Sequence, residues 1–182
     1  MEEQTAYQKI LHLFFDFPER EFGFNEIVSL TRTSKVTANK IILSLLKEDF
    51  LKRKIAGKSW LIVCNLFHEY NKTKKRTYNL EKIYNSGILD KIKQKFPGYK
   101  SIILFGSYGK GDDNEKSDID IAVEISGNQK LKIEEFEKIK ETGYRKNILA
   151  TLHIFSRRDI NNNLFSNIAN GIILEGFLEV KK

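Results

Sequence analysis

The sequence predicts an α+β protein of two modules: a helical N-terminal module ending in a β-hairpin, and a C-terminal module with a mixed β-sheet flanked by helices. Apolar residues recur at intervals of three and four in the first 48 residues, the period of an amphipathic helix. β-Branched and aromatic residues dominate the runs 99–105 and 117–125, as in buried strands. The net charge of +7 is uneven, at +2 for residues 1–65, +6 for 66–100 and −1 for 101–182. This distribution favours two modules, of which the basic one suits a polyanionic partner.

The bulk composition excludes several classes of protein. At 182 residues the chain is long enough for one large domain or two small ones. No stretch approaches the roughly 20 uncharged apolar residues of a membrane helix, and the start "MEEQTAYQKI" is acidic where a signal peptide is basic. We therefore expect a cytoplasmic protein without a membrane partner. Cys64 is the only cysteine, which excludes an intramolecular disulfide and makes a cysteine-based zinc site implausible.

Three short helices are predicted in the N-terminal module. Apolar residues spaced three and four apart predict the first over residues 5–16, and Pro18 ends it. The segment "FNEIVSLT" predicts the second, and Thr33 or Ser34 is a natural N-cap for a third over about 35–48. The inward-facing residues predicted for the second and third helices are Ile27, Val28, Leu30, Val36, Ala38, Ile41, Ile42, Leu45 and Leu46.

A β-hairpin is predicted next, because "FLKRKI" and "SWLIVCN" are β-rich and "AGK" places Gly57 in the turn between them. Three helices followed by a hairpin resemble the winged helix-turn-helix family over residues 1–65. The resemblance implies that the third helix enters the major groove of duplex DNA and that the hairpin forms a wing on the backbone or minor groove. Winged helices also serve as protein-binding or dimerisation modules, and this alternative stays open. The implied DNA-binding residues are Ser34, Lys35, Thr37, Asn39, Lys40, Arg53, Lys54 and Lys58.

Residues 66–97 are predicted to form a basic linker. The segment is rich in Lys, Asn and Tyr, and its pattern indicates one or two helices, the second of which ends at Pro97. The linker either lines a path for nucleic acid or forms a solvated hinge between the modules.

The stretch "FGSYGKGDDNEKSDIDIAVE" is the strongest candidate for a functional site. A buried strand is predicted to end at Gly106, where glycine permits a sharp turn. The backbone N–H groups and the Ser107 hydroxyl of such a turn can hold a phosphate, and Gly109 lets the ligand approach. Asp118 and Asp120 then alternate on one face of the next strand, about 7 Å apart. Two carboxylates at this spacing can converge on Mg²⁺, which prefers a few carboxylate oxygens together with water and phosphate oxygens.

A Gly-Ser pair, ten intervening residues and Asp-x-Asp resemble the signature of the nucleotidyltransferases of the DNA polymerase β superfamily. The stretch is most similar to the minimal nucleotidyltransferases, some of which follow a winged helix, and we assign residues 98–182 to this domain. The resemblance implies transfer of a nucleoside monophosphate from an NTP, with ATP as the first choice, to an acceptor hydroxyl, using Mg²⁺ or Mn²⁺. It implies that the nucleotide is bound by Gly106, Ser107, Gly109 and Ser117, and that Asp118 and Asp120 are the metal-binding catalytic residues.

One expected residue is missing. Family members that transfer a nucleotide use a third carboxylate on a neighbouring strand, which is expected here over residues 147–156, after a helix predicted over 130–144. The strand segment "NILATLHIFS" contains no Asp or Glu, and alignment places His153 at the position of the acid. His153 is therefore a candidate catalytic residue, because neutral imidazole accepts a proton, although it favours Mn²⁺ or Zn²⁺ over Mg²⁺.

Other interpretations of the gap remain open at the level of sequence. In one interpretation Glu124, farther along the Asp-x-Asp strand, supplies the third carboxylate. In another, Asp159 supplies it from the segment that follows the strand of His153. Alternatively the domain no longer catalyses, and the chain is a DNA-binding regulator whose C-terminal domain senses a nucleotide or only dimerises. A homodimer and a helical partner protein are both compatible with the family resemblance.

Overall fold

The computed structural model describes residues 4–57 and 59–180. Its contacts divide the chain into two compact units, one ending at Lys75 and the other beginning at Arg76. Each unit contains helices and a sheet, so the chain is a mixed α+β protein, as the sequence predicts. Within the described ranges, no helix has the length and apolar character needed to cross a bilayer.

The N-terminal unit contains the predicted helices and hairpin. Its elements are α1 (Ala6–Asp16), β1 (Phe22–Gly23), α2 (Phe24–Thr31), α3 (Lys35–Lys47), β2 (Leu51–Ala56) and β3 (Ser59–Cys64), followed by a 3₁₀ turn at Glu69–Asn71. The strands form an antiparallel sheet in the order β1-β3-β2. Gly57 lies between β2 and β3 with φ +61°, a conformation that glycine adopts without strain.

Polar caps fix where the helices of this unit begin. The Thr5 hydroxyl accepts a hydrogen bond from the backbone N–H of Gln8, whose side chain in turn accepts from the N–H of Thr5. Ser34 caps α3 in the same way, because its hydroxyl accepts from the N–H of Thr37. The predicted apolar faces are inaccurate at two positions: Leu30 and Val36 are exposed, because the buried faces run through Ile27 and Thr31 of α2 and through Ala38, Ile42 and Leu45 of α3.

The second unit is built on a five-stranded sheet within the described residues. Helix α4 (Lys74–Asn85) spans the division between the units, and the remaining elements are α5 (Ile88–Lys95), β4 (Tyr99–Phe105), α6 (Gly106–Lys110), β5 (Ile119–Ile125), β6 (Lys132–Thr142), β7 (Arg145–Phe155), α7 (Asn162–Ala169) and β8 (Ile172–Gly176). The strand order is β6-β7-β5-β4-β8. Strands β5 and β7 are parallel and the other neighbours are antiparallel, which makes the sheet mixed.

Side-chain alternation along the central strands separates two apolar layers. Ile119, Ile121 and Val123 of β5 point into the layer that also contains Ile83, Ile88, Leu89 and Ile92 of α4 and α5. The two helices of segment 66–97 therefore contribute to the core of this unit. Ala122 points into the opposite layer, where Ile168 of α7 is buried.

The helix predicted over residues 130–144 is wrong, because most of this segment is strand β6. The apolar residues Ile133, Phe136 and Ile139 recur every third residue, which mimics a helical period. In the pairing with β7 the register shifts between Glu135 and Glu137, so Phe136 is an extra residue in a β-bulge. Ile133 is exposed, whereas Phe136 and Ile139 pack on the core layer, so the three residues do not share one face as they would on a helix.

Candidate active site

The Gly-Ser turn follows directly on the buried strand β4. Gly106 has φ +68°, and a Cβ atom at this position would lie 2.6 Å from Oδ2 of Asp120. Both the backbone conformation and the close approach of the carboxylate therefore require glycine. A Cβ atom on Gly109 would lie 2.9 Å from the carbonyl oxygen of Leu104, so the turn packs directly against the end of β4.

The register of the sheet brings the second carboxylate of the motif to this turn. Asp120 is opposite Phe105 of β4 on one side and opposite Thr151 of β7 on the other. Asp118 precedes the first paired residue of β5 and is exposed. Two carboxylates and the Gly-Ser turn thus lie at one end of β4 and β5, as the spacing of the motif predicts.

His153 of β7 completes this group of side chains. Its Nε2 atom is 3.1 Å from Oδ1 of Asp120, and its ring meets the edge of Phe105 at a centroid distance of 4.8 Å. An ionised carboxylate only accepts hydrogen bonds, so Nε2–H is the donor. The Nδ1 atom is buried without a hydrogen-bond partner among the described residues. Among the described residues, the Asp120 carboxylate is therefore the hydrogen-bond partner of the His153 imidazole.

Two comparisons with known proteins concern this part of the chain. The nucleotidyltransferase domain family matches residues 85–168, a span that includes the turn, both aspartates and His153. A protein of Methanocaldococcus jannaschii, provisionally named a protein adenylyltransferase, is 38% identical over 72 residues, which cover 39% of this chain and 69% of that relative. The chain belongs to the nucleotidyltransferase family. The family match begins at residue 85 and does not include the first 84 residues.

The remaining nucleotide-binding candidate, Ser117, has its hydroxyl occupied locally. Its Oγ accepts from the backbone N–H of Asn114 at 3.0 Å and donates to the Asn114 side-chain oxygen at 3.3 Å. The structure therefore places Ser117 in a turn that supports Asp118, while Ser107 lies half-buried in the Gly-Ser turn.

The two carboxylates considered as substitutes for the missing acid lie elsewhere. Glu124 is 2% exposed, and its two oxygens accept from the Ser101 hydroxyl at 3.1 Å and from Nε of Arg157 at 3.2 Å. Asp159 is exposed in the turn after β7. Neither carboxylate is bonded to Asp118 or Asp120 in the described structure, whereas His153 is bonded to Asp120.

The donor set fits a magnesium or manganese ion that is held partly by the substrate. Within the described part of the chain, no group of three or more His, Cys, Asp or Glu side chains is arranged to hold a metal by itself. Asp118 and Asp120 offer carboxylate oxygens, the ligands that Mg²⁺ takes in small number when phosphate oxygens and water complete its shell. The residues present therefore suit a metal that arrives with a nucleotide.

Arg145, at the start of β7, is buried next to this site, and the sequence gives no signal for it. It donates to the hydroxyl of Tyr108 and to the backbone carbonyls of Glu115 and Ser117. These partners lie 28 to 37 residues away along the chain, so no local pattern could reveal the contact.

The DNA-binding candidates of the N-terminal unit form two groups. On α3, Lys35, Thr37, Asn39 and Lys40 are exposed, and the Ser34 hydroxyl is used in the helix cap. On β2, the Arg53 guanidinium lies 4.2 Å from the centre of the Trp60 ring, and Lys54 forms an ion pair with Glu21. Lys58 lies outside the described residues.

Proposed function

We propose that the chain transfers AMP from ATP to a hydroxyl group of a protein. The observation that carries the proposal is that Asp120 contacts both the Gly106 turn and His153. A turn suited to a phosphate therefore lies beside a carboxylate suited to a metal. The family supports nucleotide transfer in general, and the name of the M. jannaschii relative supports ATP as the donor and a protein as the acceptor.

In the proposed reaction the acceptor oxygen attacks the α-phosphorus in line with the bond to the β-phosphate. An O–P bond forms, the bond between the α-phosphorus and the bridging oxygen breaks, and pyrophosphate leaves. Gly106 and Ser107 hold the triphosphate through the turn, and the proton of the hydroxyl passes to the exposed Asp118 carboxylate. Asp118 and Asp120 would hold a metal ion, which would supply charge neutralisation at the reacting phosphate.

The assay that tests this reaction compares two positions of one label. The protein is incubated with Mn²⁺ or Mg²⁺, a cell lysate as the source of acceptors, and ATP labelled on either the α- or the γ-phosphate. We expect protein-bound label above that of the lysate alone from the α-labelled ATP and not from the γ-labelled ATP. Label from the γ-position would indicate phosphorylation instead, and absence of label from both would contradict the proposed transfer.

We also infer that the N-terminal unit is a winged helix that binds duplex DNA. The order of α1, α2, α3 and the β2–β3 hairpin supports this inference, as do the exposed Lys35 and Lys40 on α3. Neither lysine has an ion pair in the described structure that would keep it from phosphate. Dimerisation through the same unit is the alternative.

DNA binding through α3 predicts a specific dependence on salt. Affinity for a duplex should fall steeply between low and physiological salt, because phosphate contacts release counterions. Changing Lys35 and Lys40 to Ala should lower the slope of log K against log salt by about two. The matched control changes Lys138 and Lys140, which are exposed on β6 of the other unit, and should leave the slope unchanged. Salt-independent binding, or equal effects of the two pairs, would contradict a DNA-facing α3.

A second candidate function is a DNA-binding regulator whose C-terminal unit binds a nucleotide without turnover. The bond between His153 and Asp120 favours it, because a histidine stands where an active family member is expected to carry an acid. Tight ATP binding together with no protein labelling and no pyrophosphate release would distinguish the regulator from the transferase.

A further inference from the structure

A buried polar network lies beneath the segment 106–118, which connects the Gly-Ser turn to the aspartates. At its centre is Arg145, which is 8% exposed. One terminal nitrogen of its guanidinium donates to the Tyr108 hydroxyl at 2.9 Å. The other donates to the carbonyl of Ser117 at 2.7 Å and to that of Glu115 at 3.0 Å.

The network also holds the middle of this segment. Asp113 is 2% exposed and lies 4.0 Å from the Arg145 guanidinium. The Asn79 side chain of α4 donates to the Asp113 carboxylate at 2.7 Å and to the backbone carbonyl of Tyr108 at 3.1 Å. Burying an arginine or an aspartate costs free energy unless the charge is paired and hydrogen-bonded. The contacts of Arg145 and Asp113 therefore offset the cost of their burial.

The two aspartates of the site differ in how they are held. Asp120 lies within the ladder, paired with strands on both sides. Asp118 precedes the first paired residue of β5, so no ladder contact fixes its backbone. Its backbone is therefore held from its two neighbours: Ile119, which pairs with β7, and Ser117, whose carbonyl accepts from Arg145.

We propose that Arg145 is a positioning residue that places the Asp118 carboxylate for metal and nucleotide binding. A guanidinium suits this task because its N–H groups point in fixed directions and reach a hydroxyl and two carbonyls at once. Lysine presents a single ammonium at the end of a flexible stem and cannot hold all three acceptors in this geometry. The inference rests on the proposed function, because it gives Asp118 its role.

The test measures ATP binding with and without a metal. The variants are Arg145→Lys, Arg145→Ala and Tyr108→Phe, of which the last removes only one of the three contacts of the guanidinium. For Arg145→Lys we expect binding of Mn²⁺·ATP to weaken by about tenfold, while ATP binding in the presence of a chelator, which does not use Asp118, stays as in the wild type. Tyr108→Phe should give a smaller loss in the same direction.

Chemical rescue separates positioning from a general structural effect. Guanidinium chloride at low millimolar concentration, far below denaturing levels, should restore part of the Mn²⁺·ATP affinity of Arg145→Ala, because the ion refills the vacated site, and should not affect Arg145→Lys. If Arg145→Ala does not fold, Arg145→Lys and Tyr108→Phe carry the test.

The outcomes distinguish this inference from the proposed function. Wild-type Mn²⁺·ATP affinity in a folded Arg145→Lys protein, or an equal loss with and without metal, would overturn the positioning role while leaving transfer intact. Metal-dependent loss in Arg145→Lys, in a protein that labels no acceptor, would support the positioning role and overturn the transfer reaction.

Discussion

Changing Asp120 to Asn should lower the rate of AMP transfer by about 10³-fold, the size expected when several kcal/mol of charge stabilisation is lost from the transition state. The substitution keeps the shape of the side chain but removes its charge and one of its acceptor oxygens. It thereby weakens the proposed metal site and the contact with Nε2 of His153 at the same time. Asp118→Asn should lower the rate by a similar factor, because the proposed reaction gives Asp118 both a metal-binding and a proton-accepting role.

The measurement is transfer of label from α-labelled ATP, together with a thermal unfolding curve for each variant. Asp112→Asn is the matched control, because Asp112 is an exposed carboxylate on the same connecting segment but outside the Asp-x-Asp motif. We expect this control to transfer AMP at the wild-type rate. A folded Asp120→Asn protein with undiminished transfer would rule out the assignment of the site.

The parts of the site that the sequence predicts correctly are those set by local spacing. The alternation of charged and apolar residues in 118–125 predicts which face of β5 carries Asp120, and the buried positions Ile119, Ile121 and Val123 confirm it. The positive φ of Gly106 is likewise local to the turn, whereas the close approach of Asp120 at this position is not. His153 lies on the face expected from the alternation of β7, toward Asp120.

The parts that the sequence does not predict depend on contacts between distant residues. The residues Ile133, Phe136 and Ile139 have the spacing of a helix, and only the pairing of β6 with β7 reveals the strand. The contacts of Arg145 join the start of β7 to a segment about thirty residues earlier. The bond of Glu124 to Arg157 removes a candidate carboxylate that spacing alone left available. In each case the deciding partner lies on another strand or loop.

Because position 153 holds a histidine where an acid is expected, we expect the site to prefer Mn²⁺ over Mg²⁺. The substitution His153→Asp should reverse this preference. Imidazole nitrogen is a ligand that suits Mn²⁺ better than Mg²⁺, whereas carboxylate oxygen suits both. His153 Nε2 lies 3.1 Å from Oδ1 of Asp120, and a metal bound between them would replace the Nε2 proton, which then moves to Nδ1. We expect the wild type to prefer Mn²⁺, and His153→Asp to raise the ratio of Mg²⁺- to Mn²⁺-supported transfer by about tenfold, a change of about 1.4 kcal/mol.

Thermal stability gives a readout of the same substitution that does not depend on transfer. A second carboxylate beside Asp120 places like charges together, so His153→Asp should unfold at a lower temperature than the wild type without metal. Mg²⁺ binds the folded state and should raise the unfolding temperature of the variant more than that of the wild type. His153→Asn, which removes the imidazole without adding charge, is the matched control and should show no such gain with Mg²⁺. An unchanged metal ratio in His153→Asp, with equal Mg²⁺ stabilisation of variant and control, would show that position 153 does not contribute to the metal site.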